Sequence, residues 1–331
     1  MTEKILITGG AGFIGLHLAE KLSDQGCEIV IMDNFSRAVK DNDLDKILSR
    51  DNVSTRTIDF LDQDSVQNIE KDFTFIFHLA AIIGVTHVMK SPYNVLYDNI
   101  RMLGNVIDLA NRQSKLTRLF FSSTSEVYAG TLKNFALEIP TPENTPLSLT
   151  DLSHPRTSYM LSKIYGEAMC LQSKLPVTIF RPHNLYGPRM GMSHVVPEQL
   201  NKSYHALDGD QVEVFTPDHT RSFCFIDDAI SMIIGMMESE SCLGQTLNLG
   251  TQDNEVSIKD LAELCYSIVG RKIEMVLNDE DRGSPNRRAP EMSLTYDLTG
   301  IKSQVSLREG IERTYDWYKT NIFEGTTISA K

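Results

Sequence analysis

The segment that most limits how this chain can fold is Thr8-Gly9-Gly10-Ala11-Gly12-Phe13-Ile14-Gly15. It follows an apolar run, Lys4–Thr8, and opens a stretch with helical spacing, Gly12–Ser23. Glycines at 9, 12 and 15 let the backbone turn tightly and approach a bound group. The helix that begins beside Phe13 and Ile14 then offers unpaired N–H groups and a partial positive charge. Strand, glycine-rich turn and helix in that order imply a pyrophosphate cradle. Glycines also mark plain turns, so the next carboxylate matters. Asp33 closes the second apolar run, Glu28–Met32, eighteen residues beyond Gly15, close to the spacing of a ribose-binding acid. A carboxylate there accepts both ribose hydroxyls and repels a 2′-phosphate, which favours NAD over NADP. Arg37, close behind Asn34 and Ser36, is the counter-argument, because a guanidinium can meet a phosphate. The plain alternative for Asp33 is a turn aspartate that caps the next helix.

Strand-like runs recur at Phe73–Ala80, Thr117–Ser122 and Pro176–Arg181, with a weaker one at Val53–Ile58. Between them lie the helical stretches Leu44–Arg50, Asp64–Glu70, Tyr93–Arg112 and Ser158–Gln172. In Tyr93–Arg112 the residues Leu96, Ile100, Leu103, Ile107 and Ala110 define one apolar face. This alternation implies an α/β fold of the Rossmann type, a doubly wound parallel sheet covered on both faces. After Arg181 the elements become irregular, with short strands near Val212–Phe215 and Thr246–Leu249 and helices near Asp227–Glu238 and Ser257–Gly270. The expected organisation is an NAD-binding domain over 1–181, with segments returning near 219–249, and a smaller C-terminal substrate-binding domain over 182–218 and 250–331. Gly130–Arg156, with four prolines, and Arg282–Pro290, with three arginines, read as long loops. The last dozen residues are polar and expected to fray, and Asp41–Asp45 reads as a solvated acidic face.

Composition excludes several classes. The 331 residues carry 32 Lys and Arg against 44 Asp and Glu, a net charge of −12, which argues against nucleic acid as a partner. No run reaches the roughly 18 apolar residues of a membrane span. With the glycine turn arriving at Gly9, no signal segment is expected. Five cysteines without a CxxC pair suggest free thiols in a reducing compartment, so a cytoplasmic protein is expected. The eight histidines show no metal-ligand spacing, so no metal is expected, and His183 reads as lining a cleft or packing.

Tyr159 and Lys163 stand one helical turn apart and share a face. A nearby cation favours the phenolate and lowers the tyrosine pKa towards the range of a general base. The fifth strand ends in Ser122-Ser123-Thr124-Ser125-Glu126-Val127-Tyr128, and ligands of open α/β sheets bind beyond the carboxyl ends of strands. Thr124 then shares a substrate oxygen with Tyr159, and Glu126 supplies a carboxylate to the same cleft.

These residues together resemble the extended short-chain dehydrogenases/reductases of the NAD-dependent epimerase/dehydratase type, which act on nucleotide-diphosphate sugars. The resemblance rests on Thr8–Gly15, Asp33, Asp59-Phe60, His78-Leu79-Ala80-Ala81, Asn99, Thr124, Tyr159 with Lys163, Arg181–Pro188 and Arg221-Ser222-Phe223 with Asp227. It implies that Asp59 and Phe60 contact adenine and that Leu79, Ala80, Ala81 and Asn99 line the cofactor. It also implies that Asn184, Arg221 and Arg288 hold the sugar diphosphate or its neighbouring groups. Family chemistry begins with oxidation of sugar C4, with Tyr159 as base, Thr124 sharing the hydrogen bond and Lys163 holding tyrosine and ribose. A 4,6-dehydratase resembles its relatives in carrying Asp-Glu where this chain has Ser125-Glu126, and serine is a poor general acid. A 4-epimerase needs neither group. Thr124-Ser125-Glu126-Val127-Tyr128 is most similar to the UDP-glucuronate decarboxylases, in which the C4 ketone turns the C6 carboxylate into a β-keto acid. Epimerase, dehydratase and a non-catalytic NAD-binding subunit stay as alternatives. Relatives pair through two long helices, here Tyr93–Arg112 and Ser158–Gln172, which implies a homodimer with a four-helix bundle.

Overall fold

Near-continuous apolar runs bury the middle of one sheet: Ile5, Leu6, Ile7, Phe77, Leu119, Phe120, Ile179 and Phe180 are fully inaccessible. The computed structural model describes residues 2–38, 40–135, 137–253, 255–280 and 285–325, the side chain of Val85 aside. The first half alternates as expected: β1 (Lys4–Thr8), α1 (Phe13–Asp24), β2 (Glu28–Asp33), α2 (Asn42–Leu48), β3 (Val53–Thr57), α3 (Gln63–Gln67), β4 (Phe75–His78), α4 (Val85–Lys90), α5 (Pro92–Asn111) and β5 (Arg118–Ser122). Then come α6 (Ala129–Asn134), α7 (Thr157–Gln172), β6 (Val177–Pro182), β7 (Leu185–Tyr186), α8 (Val195–His205), β8 (Gln211–Phe215), β9 (Thr220–Ser222), β10 (Cys224–Phe225) and α9 (Ile226–Glu238). The chain continues with β11 (Thr246–Leu249), β12 (Glu255–Ser257), α10 (Ile258–Val269), β13 (Glu274–Asn278), β14 (Arg287–Arg288), α11 (Ser293–Thr299) and α12 (Leu307–Tyr318).

Among the described residues seven strands form one sheet in the order β11-β6-β5-β4-β1-β2-β3. All its pairs are parallel. This is the doubly wound Rossmann arrangement, and the direction of winding reverses between β1 and β4. Alternate residues of each strand serve opposite faces. Ile5, Ile7, Ile29, Ile31, Phe77 and Phe120 pack with Leu18 and Leu22 of α1 and Ile233 of α9. Leu6, Val30, Ile76, Leu119, Phe121 and Ile179 pack with Leu103, Val106 and Leu109 of α5. Each such side chain stabilises the fold by about 1.5–3 kcal/mol on burial. Smaller sheets, β12-β9-β14, β13-β8 and β10-β7, stand beside this layer.

Several sequence expectations change. The buried stripe of α5 is Val95, Asn99, Met102, Leu103, Val106, Leu109 and Ala110, whereas Leu96, Ile100 and Ile107 are only half-buried. The stripe is turned because α5 packs on the sheet with one flank and on α7 with the next. Gly130–Arg156 is not all loop: its first residues belong to α6, and the rest is tied down by Asn134 Nδ2 donating to the Leu149 carbonyl at 2.8 Å and by Thr141 pairing with Pro290. The acidic stretch is not a solvated face throughout. Asp41 is buried, caps α2 by accepting from the Leu44 N–H at 2.9 Å, and meets Arg189 at 2.7 Å. Helix α12, absent from the sequence expectations, opens on Ser306 Oγ accepting from the Glu309 N–H, a capping signal. Within the polar tail, Phe323 stacks on Tyr204 at 4.8 Å rather than fraying, and residues 326–331 lie outside the described part. Arg282 of the arginine-bearing loop lies outside it too.

Candidate functional site

The cleft forms where β1 and β4 part. Thr8 Oγ1 lies 2.8 Å from His78 Nδ1 and accepts from the Ala80 N–H at 3.2 Å, fixing Leu79, Ala80 and Ala81 beside the glycine turn. Gly9 has φ of +66°, and a Cβ there would come within 2.7 Å of the Ala80 nitrogen, so only glycine fits. Gly12 caps α1 with no side chain over its first N–H groups, and a Cβ on Gly15 would meet Gly10 Cα at 2.6 Å. Asp33 ends β2, with its carboxylate accepting from the Phe35 N–H at 2.8 Å and the Ala11 N–H at 3.2 Å. Burial raises its pKa and those two bonds oppose the rise. A backbone cradle at a helix N-terminus with an acid at the next strand end fits a dinucleotide.

The remaining cofactor candidates divide. Asn34 Oδ1 accepts from the Ser36 N–H at 3.0 Å, shaping the turn after Asp33. Arg37 lies against Gly84 and within electrostatic reach of the Tyr159 hydroxyl, so its charge faces the cleft. Asp59 accepts from the Leu61 N–H at 2.9 Å, while the Phe60 ring is buried in the core. Asn99 braces the loop after β4: it accepts from the Ile82 N–H at 2.7 Å and donates to the Ile82 carbonyl at 3.1 Å.

Beyond β5, Thr124 Oγ1 accepts from the Glu126 N–H and starts a tight turn, Ser125–Tyr128. Tyr159 on α7 shares a hydrogen bond with Thr124. Lys163 donates to the Ser122 carbonyl at 2.7 Å and lies 5.9 Å from the centre of the Tyr159 ring. Here the sequence expectation is corrected. Burial first, and the Glu126 charge second, push the Tyr159 hydroxyl well above the usual tyrosine range. The Lys163 ammonium is directed at the Ser122 carbonyl instead, and burial pushes its own pKa down to about 8. Glu126, half-buried, pairs with Arg288 at 2.9 Å, and that guanidinium, with smaller help from Arg156 and Arg221, holds its carboxyl below the usual range against partial desolvation. Ser125 lines a small cavity with Tyr128, Leu132, Thr141, His183 and Arg288.

Asn184 has φ of +40° and donates to the Ser222 carbonyl at 3.1 Å. Arg221 is buried and donates to the carbonyls of Thr220 at 2.6 Å and Asn286 at 3.2 Å, and to that of Pro285. It therefore fastens the strap that carries Arg288, besides any role towards a ligand. Arg156, not among the residues expected from sequence, precedes Tyr159 by three residues and so shares its helix face. Helical spacing was the available signal, obscured by the proline-rich stretch before it. Arg181 pairs with Glu167 at 2.7 and 2.8 Å behind Ser123, and no spacing along the chain signals this pair because one partner lies on α7 and the other on β6.

The profile of the NAD dependent epimerase/dehydratase family matches residues 5–250. The chain belongs to this family. It is 32% identical to the UDP-N-acetyl-alpha-D-glucosaminuronate decarboxylase of Bacillus cytotoxicus, over 96% of this chain and 98% of that one. It is 31% identical to UDP-glucuronic acid decarboxylase 1 of Xenopus tropicalis, over 97% of this chain and 73% of that one. Among solved structures it is similar to a UDP-glucuronic acid 4-epimerase of Bacillus cereus in complex with UDP-glucuronic acid and NAD, with a TM-score of 0.78, 25% identity and coverage of 96% and 99%. This family member is thus an NAD-dependent enzyme that modifies a nucleotide sugar. Among the described residues, no helix is long and apolar enough to cross a membrane.

Proposed function

We propose that the chain is a UDP-uronate decarboxylase of the UDP-glucuronate type. The observation that carries this reading is the Glu126–Arg288 pair, which sets a guanidinium beside Ser125 in the cleft that also holds Thr124 and Tyr159. An arginine at that place suits a substrate carboxylate, because its planar fork pairs with carboxylate oxygens. A neutral hexose offers it no such partner.

In this reading Gly9, Gly12, Gly15 and Asp33 hold NAD, which when bound supplies the two-electron oxidation at sugar C4. Thr124 and Tyr159 hold the C4 oxygen. The high pKa of the ligand-free tyrosine means that it arrives protonated and donates to that oxygen, and its proton must be released before it acts as base. Once C4 is a ketone, the C5–C6 bond breaks, CO2 leaves, and the electron pair passes to the C4 oxygen as an enolate. C5 then takes a proton. Arg288 and Ser125 orient the carboxylate, and Glu126, released from Arg288 as the substrate carboxylate takes its place, manages the proton. Asn184 and Arg221 border the diphosphate, and the substrate lobe comprises 182–218 and 250–331.

The test is incubation of the NAD-loaded enzyme with UDP-glucuronate, UDP-N-acetylglucosaminuronate, UDP-glucose and GDP-mannose, with products followed by mass. Loss of CO2 from a uronate is expected. An isomer of unchanged mass points to epimerisation and loss of water to dehydration, and either one without CO2 release overturns the reading. Tyr159→Phe is expected to lower turnover by about a hundredfold or more while NAD still binds; retained turnover removes Tyr159 as the base.

A homodimer through α5 and α7 is the assembly we infer. Exposed Tyr93 and Tyr97 on α5, and Tyr165 and Leu171 on α7, support it. A monomer by light scattering at micromolar concentration refutes it. The five buried, unpaired cysteines support a cytoplasmic location.

A further inference from the structure

Asn248 lies on β11, at the edge of the main sheet, with no accessible surface. Its carboxamide joins two elements that carry site residues. Oδ1 accepts from the Tyr128 hydroxyl at 3.0 Å and lies 3.0 Å from His183 Nε2. Nδ2 donates to the Thr141 carbonyl at 2.9 Å and to the Glu291 carbonyl at 3.0 Å. With His183 donating through Nε2, two acceptor positions and two donors are all used, which is the full capacity of an amide.

The two ends of this amide have different tasks. Tyr128 closes the turn that contains Ser125 and Glu126. Thr141 and Glu291 belong to the pairing that holds the strap after Arg288: the Thr141 N–H donates to the Ala289 carbonyl and the Glu291 N–H to the Thr141 carbonyl, each at 2.9 Å. One buried side chain therefore sets the distance between the turn bearing Glu126 and the strap bearing Arg288. The assembly is anchored from behind. Arg181 donates to the Tyr128 oxygen at 2.7 Å and to the Glu143 carbonyl at 3.0 Å, and it is doubly bonded to Glu167, which also accepts from Ser123. Glu143 in turn accepts from the Asn248 N–H at 2.9 Å. Aspartate at 248 would turn an oxygen towards two carbonyls, and alanine would leave those carbonyls and the Tyr128 hydroxyl without the bridge.

We propose that Asn248 is a positioning residue, which holds Arg288 in register with Ser125 and Glu126 without touching the substrate. What that register serves rests on the decarboxylase reading; the register itself does not, so the two are tested separately.

Three variants serve: Asn248→Ala, Asn248→Asp and Tyr128→Phe. The first readout is the rate at which phenylglyoxal modifies Arg288 in the NAD-loaded enzyme without sugar, followed by peptide mass. We expect Arg288 to react about threefold faster or more once its strap is loosened. The second is a single turnover with UDP-glucuronate, in which NADH absorbance reports C4 oxidation and trapped CO2 reports the next step. Misplacing Arg288 is expected to slow CO2 release by about tenfold or more and leave NADH formation within about twofold. Unchanged Arg288 reactivity in a folded variant overturns the proposal. So does a proportionate fall in both steps, which marks a merely structural role. If the parent enzyme releases no CO2, the decarboxylase reading fails, and Arg288 reactivity alone decides the role of Asn248. If Asn248→Ala does not fold, Tyr128→Phe, which keeps the ring and removes the hydroxyl's bonds to Asn248 and Arg181, decides it.

Discussion

Gly9→Ala and Gly26→Ala form a matched pair that isolates what the cofactor cradle requires. Both glycines have left-handed φ, +66° and +84°, so alanine adds roughly 1–2 kcal/mol of backbone strain at each. They differ in what a Cβ meets. At Gly26, beyond the end of α1, nothing lies within 4 Å, whereas at Gly9 the new carbon would stand 2.7 Å from the Ala80 nitrogen and 2.8 Å from its Cα. Ordinary contact begins near 3.4 Å, so the segment after β4 must retreat by several tenths of an ångström. Overpacking of this kind typically costs about 1–3 kcal/mol. Where the loop moves to relieve it, the loss falls on the cradle. NAD affinity should then drop by roughly 5- to 150-fold, at about 1.4 kcal/mol per factor of ten. The assay is calorimetric titration of NAD into cofactor-free protein, with a thermal melt of each variant. Gly26→Ala should melt earlier yet bind NAD within about twofold of the parent. Equal losses of affinity in the two variants, or unchanged affinity in Gly9→Ala, would refute the assignment of the Gly9–Ala80 contact to the cofactor site.

Two further expectations concern stability. Glu167→Gln leaves the buried Arg181 guanidinium without its countercharge and should cost about 3–5 kcal/mol, read as a shifted denaturation midpoint, whereas Glu167→Leu with Arg181→Met should recover part of that loss. A cost below about 1 kcal/mol for the single change contradicts the burial of the pair. His78 and His183 are held neutral, each pushed down to about 3 by burial first. Their unfolded pKa is near 6.5, so below that pH the unfolded chain binds more protons than the folded one. The stability they contribute is intact above about 6.5 and is lost as pH falls towards 3, with a slope of up to about 1.4 kcal/mol per pH unit for each. A melting temperature indifferent to pH across that window, or a pH slope left unchanged by His78→Asn, would refute it.

The sequence alone determined the elements whose signals are local. A glycine turn between an apolar run and a helix, and a carboxylate at the next strand end, need only backbone geometry to be read, and Thr8–Gly15 and Asp33 stand where that reading puts them. Strand and helix alternation likewise follows from side-chain periodicity and implies parallel pairing, whereas the order β11-β6-β5-β4-β1-β2-β3 is set by packing. Tyr159 and Lys163 were legible because four residues make one helical turn. Their protonation was not. It depends on how much water burial removes and on Glu126, a residue of another element. The same holds for Arg221, whose charge suggests a ligand contact and whose guanidinium also donates to the carbonyls of Pro285 and Asn286 in the Arg288 strap. Asn248 carries no local signal at all, being a polar residue that alternates with leucines in a short strand. Only the tertiary structure, by bringing Tyr128, Thr141 and Glu291 around one buried amide, decides what it does, because hydrogen bonds across elements are set by packing rather than by spacing along the chain.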